Sequence, residues 1–336
     1  MSAADWSAWA SVPWTPVVTD ATTTTTTTTT NVIGWRKQNV PYIRPGGASL
    51  QTLDVWLPLT LNSSTAPDAS SLPRLPGSWI VYIHSGAWCD PDITSAAIAP
   101  AARHLLSSQT SVVNIAGIAS INYRLSPRAS AGDGDDDGDL SYAAKHPDHI
   151  ADVLSGIAFL QRLGGAKSPY VLAGHSCGAT LAFQAVMDAS SRWGVDVRIG
   201  KPAAVVGCNG LYDLAGFIAH PPVGYEGLRD GYESFTRNAF GDDVSVWKTA
   251  CPATADGEWL SEWTTTEGNK RVVLVQSKED TLVPYQQLET MRRVLEGQDG
   301  GGVEMREMQA TGNHDDLWLQ GARLAEILRE VVGGLR

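Results

Sequence analysis

Cysteine is scarce in this 336-residue chain, and Cys89, Cys177, Cys208 and Cys251 stand far apart. That spacing argues against a zinc-type ligand set and against a dense disulfide framework. Basic residues number 25 against 36 acidic ones, and the net charge of -11 comes without a basic stripe, which argues against a general binder of nucleic-acid backbones. A run of the roughly 20 apolar residues that would span a bilayer is missing. So is a G-x-G-x-x-G or other phosphate-binding glycine loop, and no nucleotide cofactor is implied. The opening stretch MSAADWSAWASVPW has neither the basic start nor the continuous apolar core of a secretory leader. These absences lead to the expectation of a reduced, cytoplasmic protein with free thiols, without nucleic-acid or membrane partners.

What is present is an alternation of short apolar runs with helical stretches. SWIVYIH, IAGIASINYRL, PYVLAGHS, AAVVGCNG, KRVVLVQSKED and GVEMREMQ read as strands. SAAIAPAARHLLSS, HPDHIADVLSGIAFLQRLGG, GATLAFQAVMDASS, QQLETMRRVLEG and a closing WLQGARLAEILREVV read as helices. Such alternation predicts an α/β fold with a mostly parallel sheet covered on both faces. Before it, LQTLDVWLP reads as a further strand, and Thr22 to Thr30 form a low-complexity tract, read as a loop or exposed extension with a β-strand as runner-up. Residues 1–45 are therefore expected to be an N-terminal extension, and 46–336 a single domain. About sixty residues between AAVVGCNG and KRVVLV lack a strong strand signal and hold many aromatics, so a helical cap is expected at about 210–268.

The most specific chemical signal is AGHSCGA. Gly174, Ser176 and Gly178 fit G-x-S-x-G after a strand and before a helix, the context in which a sharp turn lifts a nucleophilic serine above the sheet edge. A serine hydroxyl needs a base, and on this architecture the order is serine, acid, histidine. Asp280, with Glu279 as the neighbour to exclude, lies just beyond a later strand, and His314 follows the next one. Asp315 and Asp316 suit the start of the closing helix, where carboxylates meet the positive end of the dipole. The stretch HSGAWCDP follows an earlier strand, where an oxyanion loop belongs, and the expected donors are the amides of Gly86, Ala87 and Cys177. Ser85 is rejected as nucleophile because no acid–histidine order serves it. Asp133, Asp135, Asp137 and Gly138 resemble the start of a calcium loop, but position twelve is Ala144 where a glutamate is required, so a solvated acidic loop at 132–139 is expected. The remaining histidines make no metal cluster, and His175 reads as structural.

HSGAW, NYRLSP, HPDHIADV, GHSCGA, NGLYDL, AFGDD and SKEDTLVP together resemble the kynurenine formamidase (arylformamidase) family in its fungal form, from about Leu50 to Trp318. The resemblance implies a cofactor-free, metal-free α/β-hydrolase that cleaves N-formyl-L-kynurenine to L-kynurenine and formate, with Ser176 as nucleophile, Asp280 as acid and His314 as base. One position departs from it: the family pattern is H-G-G-x-W, and here the first glycine is Ser85. That departure keeps a paralogue acting on another aryl formamide or a small ester, for instance in secondary metabolism, in view. A broad carboxylesterase and a non-catalytic binder on the same fold are the other readings. The expected partner is a small aromatic formamide, with His84, Ser85, Trp88 and Tyr212 as candidate pocket residues; a homodimer is left open.

Overall fold

The computed structural model describes the chain except residues 1–2, 20–21, 25–26, 30, 44–47, 60–64, 108–114, 129–139, 168, 258, 265–268, 299–301 and 336. The acidic loop expected at 132–139 thus lies outside the described residues. Nine strands form one sheet: β1 (Thr15–Val18), β4 (Val32–Pro41), β5 (Thr52–Pro58), β6 (Ser78–Ile83), β7 (Ile115–Ile121), β8 (Tyr170–His175), β9 (Ala204–Cys208), β10 (Lys270–Ser277) and β11 (Val303–Ala310). Their spatial order is β1-β4-β5-β7-β6-β8-β9-β10-β11, with β7 through β11 parallel and the β1, β4 and β5 end antiparallel. Within the threonine tract, β2 (Thr22–Thr24) and β3 (Thr27–Thr29) pair antiparallel as a separate ribbon, the runner-up reading.

The apolar runs form strands buried on both faces. Along β6, Trp79, Val81 and Ile83 join one core cluster while Ile80 and Tyr82 join the other, the period-2 split of a sheet covered from both sides. Helices Asp148–Leu163, Cys177–Gln184 and Gln286–Gly297 cover the first face; Ala99–Ser107 and Ala322–Gly333 cover the second. Between β9 and β10 lie helices Leu214–Ala219, Arg229–Phe240, Val244–Ala250 and Trp259–Thr264.

Three expectations are corrected. Residues 1–45 do not stand apart, because β1 and β4 belong to the main sheet and Trp9 and Trp14 are buried in its core. Lys37 explains how: its fully buried ammonium donates to the carbonyls of Trp9 (2.7 Å), Val12 (2.5 Å) and Ala69 (2.9 Å) and lies over both tryptophan rings. The stretch GATLAFQAVMDASS is two helices, Cys177–Gln184 and Ala189–Trp193, the second restarted by the Asp188 side chain, which accepts from the Ser190 and Ser191 amides. The closing helix is likewise broken at Gly321, whose left-handed backbone separates Asp316–Gln320 from Ala322–Gly333 against Pro100 and Ala101. The four thiols are free, and no helix among the described residues is long and apolar enough to cross a membrane.

Candidate active site

The strand register sets the carboxyl ends of β6, β8, β9, β10 and β11 along one edge, with Ile83 beside Gly174, His175 beside Cys208, Cys208 beside Val275 and Ser277 beside Ala310. Ligand sites in open parallel sheets form outside this edge. Directly after β8, Ser176 has φ 55° and ψ -123°, a conformation that L-residues rarely adopt. Its two glycine neighbours make the turn feasible. A Cβ on Gly174 would stand 2.0 Å from the Gly178 carbonyl oxygen, and one on Gly178 would stand 2.3 Å from that of Ile83. Although Ser176 precedes helix Cys177–Gln184, its side chain does not cap that helix, so the hydroxyl is not consumed by the first-turn amides as a helix-start serine usually is.

Asp280 and His314 meet across the loops after β10 and β11: His314 Nδ1 donates to Asp280 Oδ2 at 2.7 Å. Asp280 is buried, and its other oxygen accepts from the amides of Leu282 (2.9 Å) and Val283 (2.8 Å), which fixes the carboxylate orientation. A carboxylate that accepts from these amides can only accept from the ring too, so Nδ1 carries the imidazole proton and Nε2 is left as the basic nitrogen. Glu279, the excluded neighbour, instead accepts from the Gly312 amide. The His314 backbone is held as well, since its carbonyl accepts from His175 Nε2 (2.8 Å) and Asn209 Nδ2 (3.0 Å). Burial drives the His175 pKa well down, so this ring is neutral with its proton on Nε2. Asn209, missed in the sequence, sits with φ 44° at the end of β9 and also accepts from the Ser277 amide (3.1 Å), tying three strand ends together. Its sequence signals are its place one residue after a buried strand and its position at the head of NGLYDL.

The loop after β6 carries three successive residues with positive φ, Gly86 (106°), Ala87 (48°) and Trp88 (60°). The amides of Cys89 (2.9 Å) and Asp90 (2.8 Å) donate to the Gly86 carbonyl and close the turn. Ser85 is not among the positive-φ residues, so the position where the resemblance expects glycine does not demand one. Cys177 opens its helix, where first-turn amides have no intrahelical acceptor, and its thiol lies buried beneath the Ala87 and Trp88 amides and near the Tyr123 hydroxyl (3.5 Å). NYRLSP and HPDHIADV brace this loop from behind. Arg124 makes a bidentate pair with Asp152 (2.8 and 2.9 Å), His149 Nε2 meets Ser126 Oγ (3.0 Å), and the Ser126 amide donates to the Trp88 carbonyl (2.7 Å).

A cavity of about 410 Å³ opens over these groups, a size suited to a small molecule. Ser85, Gly86, Ala87, Ser176 and His314 line it together, with Leu211, Leu228, Tyr232, Phe235, Leu282 and Val283 as its apolar walls. The cap is anchored over it, as Tyr232 and Tyr225 hydroxyls donate to the carbonyls of Leu282 (2.8 Å) and Asp280 (2.5 Å). Three candidate pocket residues are corrected. His84 is buried, stacked 4.5 Å from the Tyr123 ring, and its Nδ1 donates to the Ser85 carbonyl (2.7 Å); it supports the loop from beneath. Trp88 is fully buried against Phe240 at 5.0 Å, and Tyr212 against Phe183 at 5.6 Å. None of the three is among the residues that line the cavity. His175, His314 and Asp315 also bring one ligand atom each within 4.8 Å, but His314 Nδ1 is engaged by Asp280 and Asp315 Oδ1 by Trp318 Nε1 (2.9 Å).

The profile of a family described as "alpha/beta hydrolase fold" matches residues 80–312. The chain belongs to that α/β-hydrolase family. Within it, this hydrolase is similar to the "kynurenine formamidase-like hydrolase fscH" of Fusarium equiseti, 36% identical over 310 residues that cover 88% of the chain and 94% of the relative. The "kynurenine formamidase avaC" of Aspergillus versicolor is 34% identical, covering 74% of this hydrolase and 85% of that protein. A kynurenine formamidase of Meyerozyma guilliermondii is 28% identical, with coverage of 76% and 84%. Among solved structures, esterase B from Lactobacillus rhamnosis superposes with a TM-score of 0.60 at 14% identity, covering 88% of this hydrolase and 86% of that chain. That likeness is one of fold. The chain is a kynurenine-formamidase-like α/β-hydrolase.

Proposed function

We propose that this hydrolase cleaves N-formyl-L-kynurenine to L-kynurenine and formate through a Ser176–His314–Asp280 triad. The observation that carries the reading is the 2.7 Å His314–Asp280 hydrogen bond facing the same cavity as the strained Ser176. His314 Nε2 takes the Ser176 proton as Oγ attacks the formyl carbon. The carbonyl oxygen becomes an oxyanion, and the amides of Gly86, Ala87 and Cys177 are assigned to hold it, each donor contributing about 3–4 kcal/mol. His314 then protonates the aryl nitrogen, the C–N bond breaks, and L-kynurenine departs. Water, deprotonated by His314, attacks the formyl ester, releasing formate and restoring Ser176. Ser176 is only 6% exposed, which suits an acyl group as small as formyl.

A second reading, an aryl or small-alkyl ester hydrolase using the same residues, is favoured by the largely apolar walls of the cavity. One experiment tests both. Wild-type protein is expected to label at Ser176 with a fluorophosphonate and to turn over N-formyl-L-kynurenine with a higher kcat/KM than p-nitrophenyl acetate. Labelling absent at Ser176 refutes the serine-hydrolase mechanism. Turnover of the ester alone refutes the formamidase assignment and leaves the esterase one.

A further inference from the structure

The open end of the cavity carries two opposed charges. Asp90 and Arg128 both line it, and Arg128 Nη2 donates to Asp90 Oδ1 at 2.5 Å. Their side chains are 32% and 43% exposed, whereas that of His314 is 8% exposed, so the pair stands at the solvent side of the chemistry. Arg128 is the one arginine or lysine among the described lining residues. An ion pair this exposed contributes little to folding, so the fold does not account for its presence. Both charges are nonetheless held in register with the oxyanion loop. The Asp90 amide is bonded to the Gly86 carbonyl at 2.8 Å, and the strand-end segment leading to Arg128 is bonded through the Ser126 amide to the Trp88 carbonyl at 2.7 Å. The same cavity, which Asp315 also lines, has apolar walls in Leu211, Leu228, Phe235, Leu282 and Val283, a place for an aromatic ring.

We propose that Asp90 and Arg128 form a clamp for a zwitterionic α-amino-acid head. Arg128 takes the carboxylate and Asp90 the ammonium, which selects aryl formamides that carry a free amino acid over neutral ones. This assignment rests on the formamidase reading above and adds to it the residues that choose the substrate. Guanidinium and carboxylate planes match for paired hydrogen bonds, and a ligand bearing both charges replaces the Asp90–Arg128 bond by two charge-assisted ones.

Titration calorimetry on the full chain tests the clamp without needing turnover. The probes are L-kynurenine, which carries both charges, kynuramine, which carries only the ammonium, and 2-aminoacetophenone, which carries neither. Arg128→Gln is expected to weaken L-kynurenine about tenfold, to leave 2-aminoacetophenone unchanged and not to weaken kynuramine, because Asp90 loses its internal cation. Asp90→Asn is expected to weaken L-kynurenine and kynuramine by a similar factor and to leave 2-aminoacetophenone unchanged. Arg128→Lys, which keeps the charge, should restore part of the L-kynurenine affinity. Wild-type protein that shows no preference for L-kynurenine over 2-aminoacetophenone overturns the clamp, as does a loss in the variants shared equally by all three probes. Turnover of N-formyl-L-kynurenine by the wild type, read in parallel, separates the two claims. Charge-dependent binding without that turnover overturns the formamidase reading and supports the clamp; turnover without charge-dependent binding overturns the clamp alone.

Discussion

Asp280 has two jobs, and they separate by mutation. One oxygen accepts from His314 Nδ1; the other accepts from the Leu282 and Val283 amides and so shapes the loop after β10. Asp280→Asn keeps an acceptor for the Leu282 and Val283 amides by turning its Oδ1 to the loop, and it presents an NH2 group to the imidazole. The ring must then take the wrong tautomer, with its proton on Nε2, and the base is lost. The expected outcome is a kcat lower by about 10⁴ with a melting temperature close to that of the wild type. A kcat within tenfold of the wild type, at saturating substrate, removes Asp280 from the mechanism. Ser85 teaches the complementary lesson at this scale. In the sequence it stood out as a departure from glycine, but its backbone does not occupy the left-handed region, and only a dihedral angle can reveal that.

At the scale of elements, the buried ammonium of Lys37 joins β4 to the N-terminal segment. Burial pushes its pKa down to about 8, which still leaves it charged at neutral pH, and the three carbonyls and two ring faces supply what water would. Lys37→Ala orphans those carbonyls and loosens the Trp9 and Trp14 packing, with an expected loss of roughly 2–4 kcal/mol. Limited proteolysis reads it: cleavage within the first fourteen residues should become fast in the variant, and unchanged cleavage would refute the tether. The same residue shows why β4 escaped the sequence reading. VIGWRKQNVP places Arg36 and Lys37 side by side in mid-strand, which reads as solvated chain. In the fold Arg36 pairs with the buried Asp54 at 3.4 Å over the Trp56 ring, and Lys37 enters its carbonyl nest. By contrast β6 to β10, hydrophobic because both faces are covered, were legible, and so were the strand ends beyond which Ser176, Asp280 and His314 stand. The cavity walls were not. Trp88 and Tyr212 are aromatic in either orientation, and composition does not say which side of a loop a ring will take.

Over the whole molecule, neutral histidines are built into the core at several places. Burial pushes His84 down to about 4, His146 to about 4 and His149 to about 3, and His175 well below its ordinary value. The unfolded chain protonates these rings below pH 6.5, whereas the native state does not until far lower. In that window the unfolded state therefore binds more protons, so stability is complete above about 6.5 and falls as the pH drops toward 4. His149 is a clean place to test this, because it is buried, stands behind the loop after β6 and bonds only to Ser126 among the described partners. His149→Gln lowers stability at neutral pH by removing packing, but it also removes one titrating ring. Urea midpoints measured between pH 6.5 and 4.5 should fall less steeply in the variant, and the gap to the wild type should narrow by roughly 2 kcal/mol across that range. Parallel curves for the two proteins would mean that His149 takes up its proton in the folded state as readily as in the unfolded one, and that the core behind the active site is not the source of acid sensitivity.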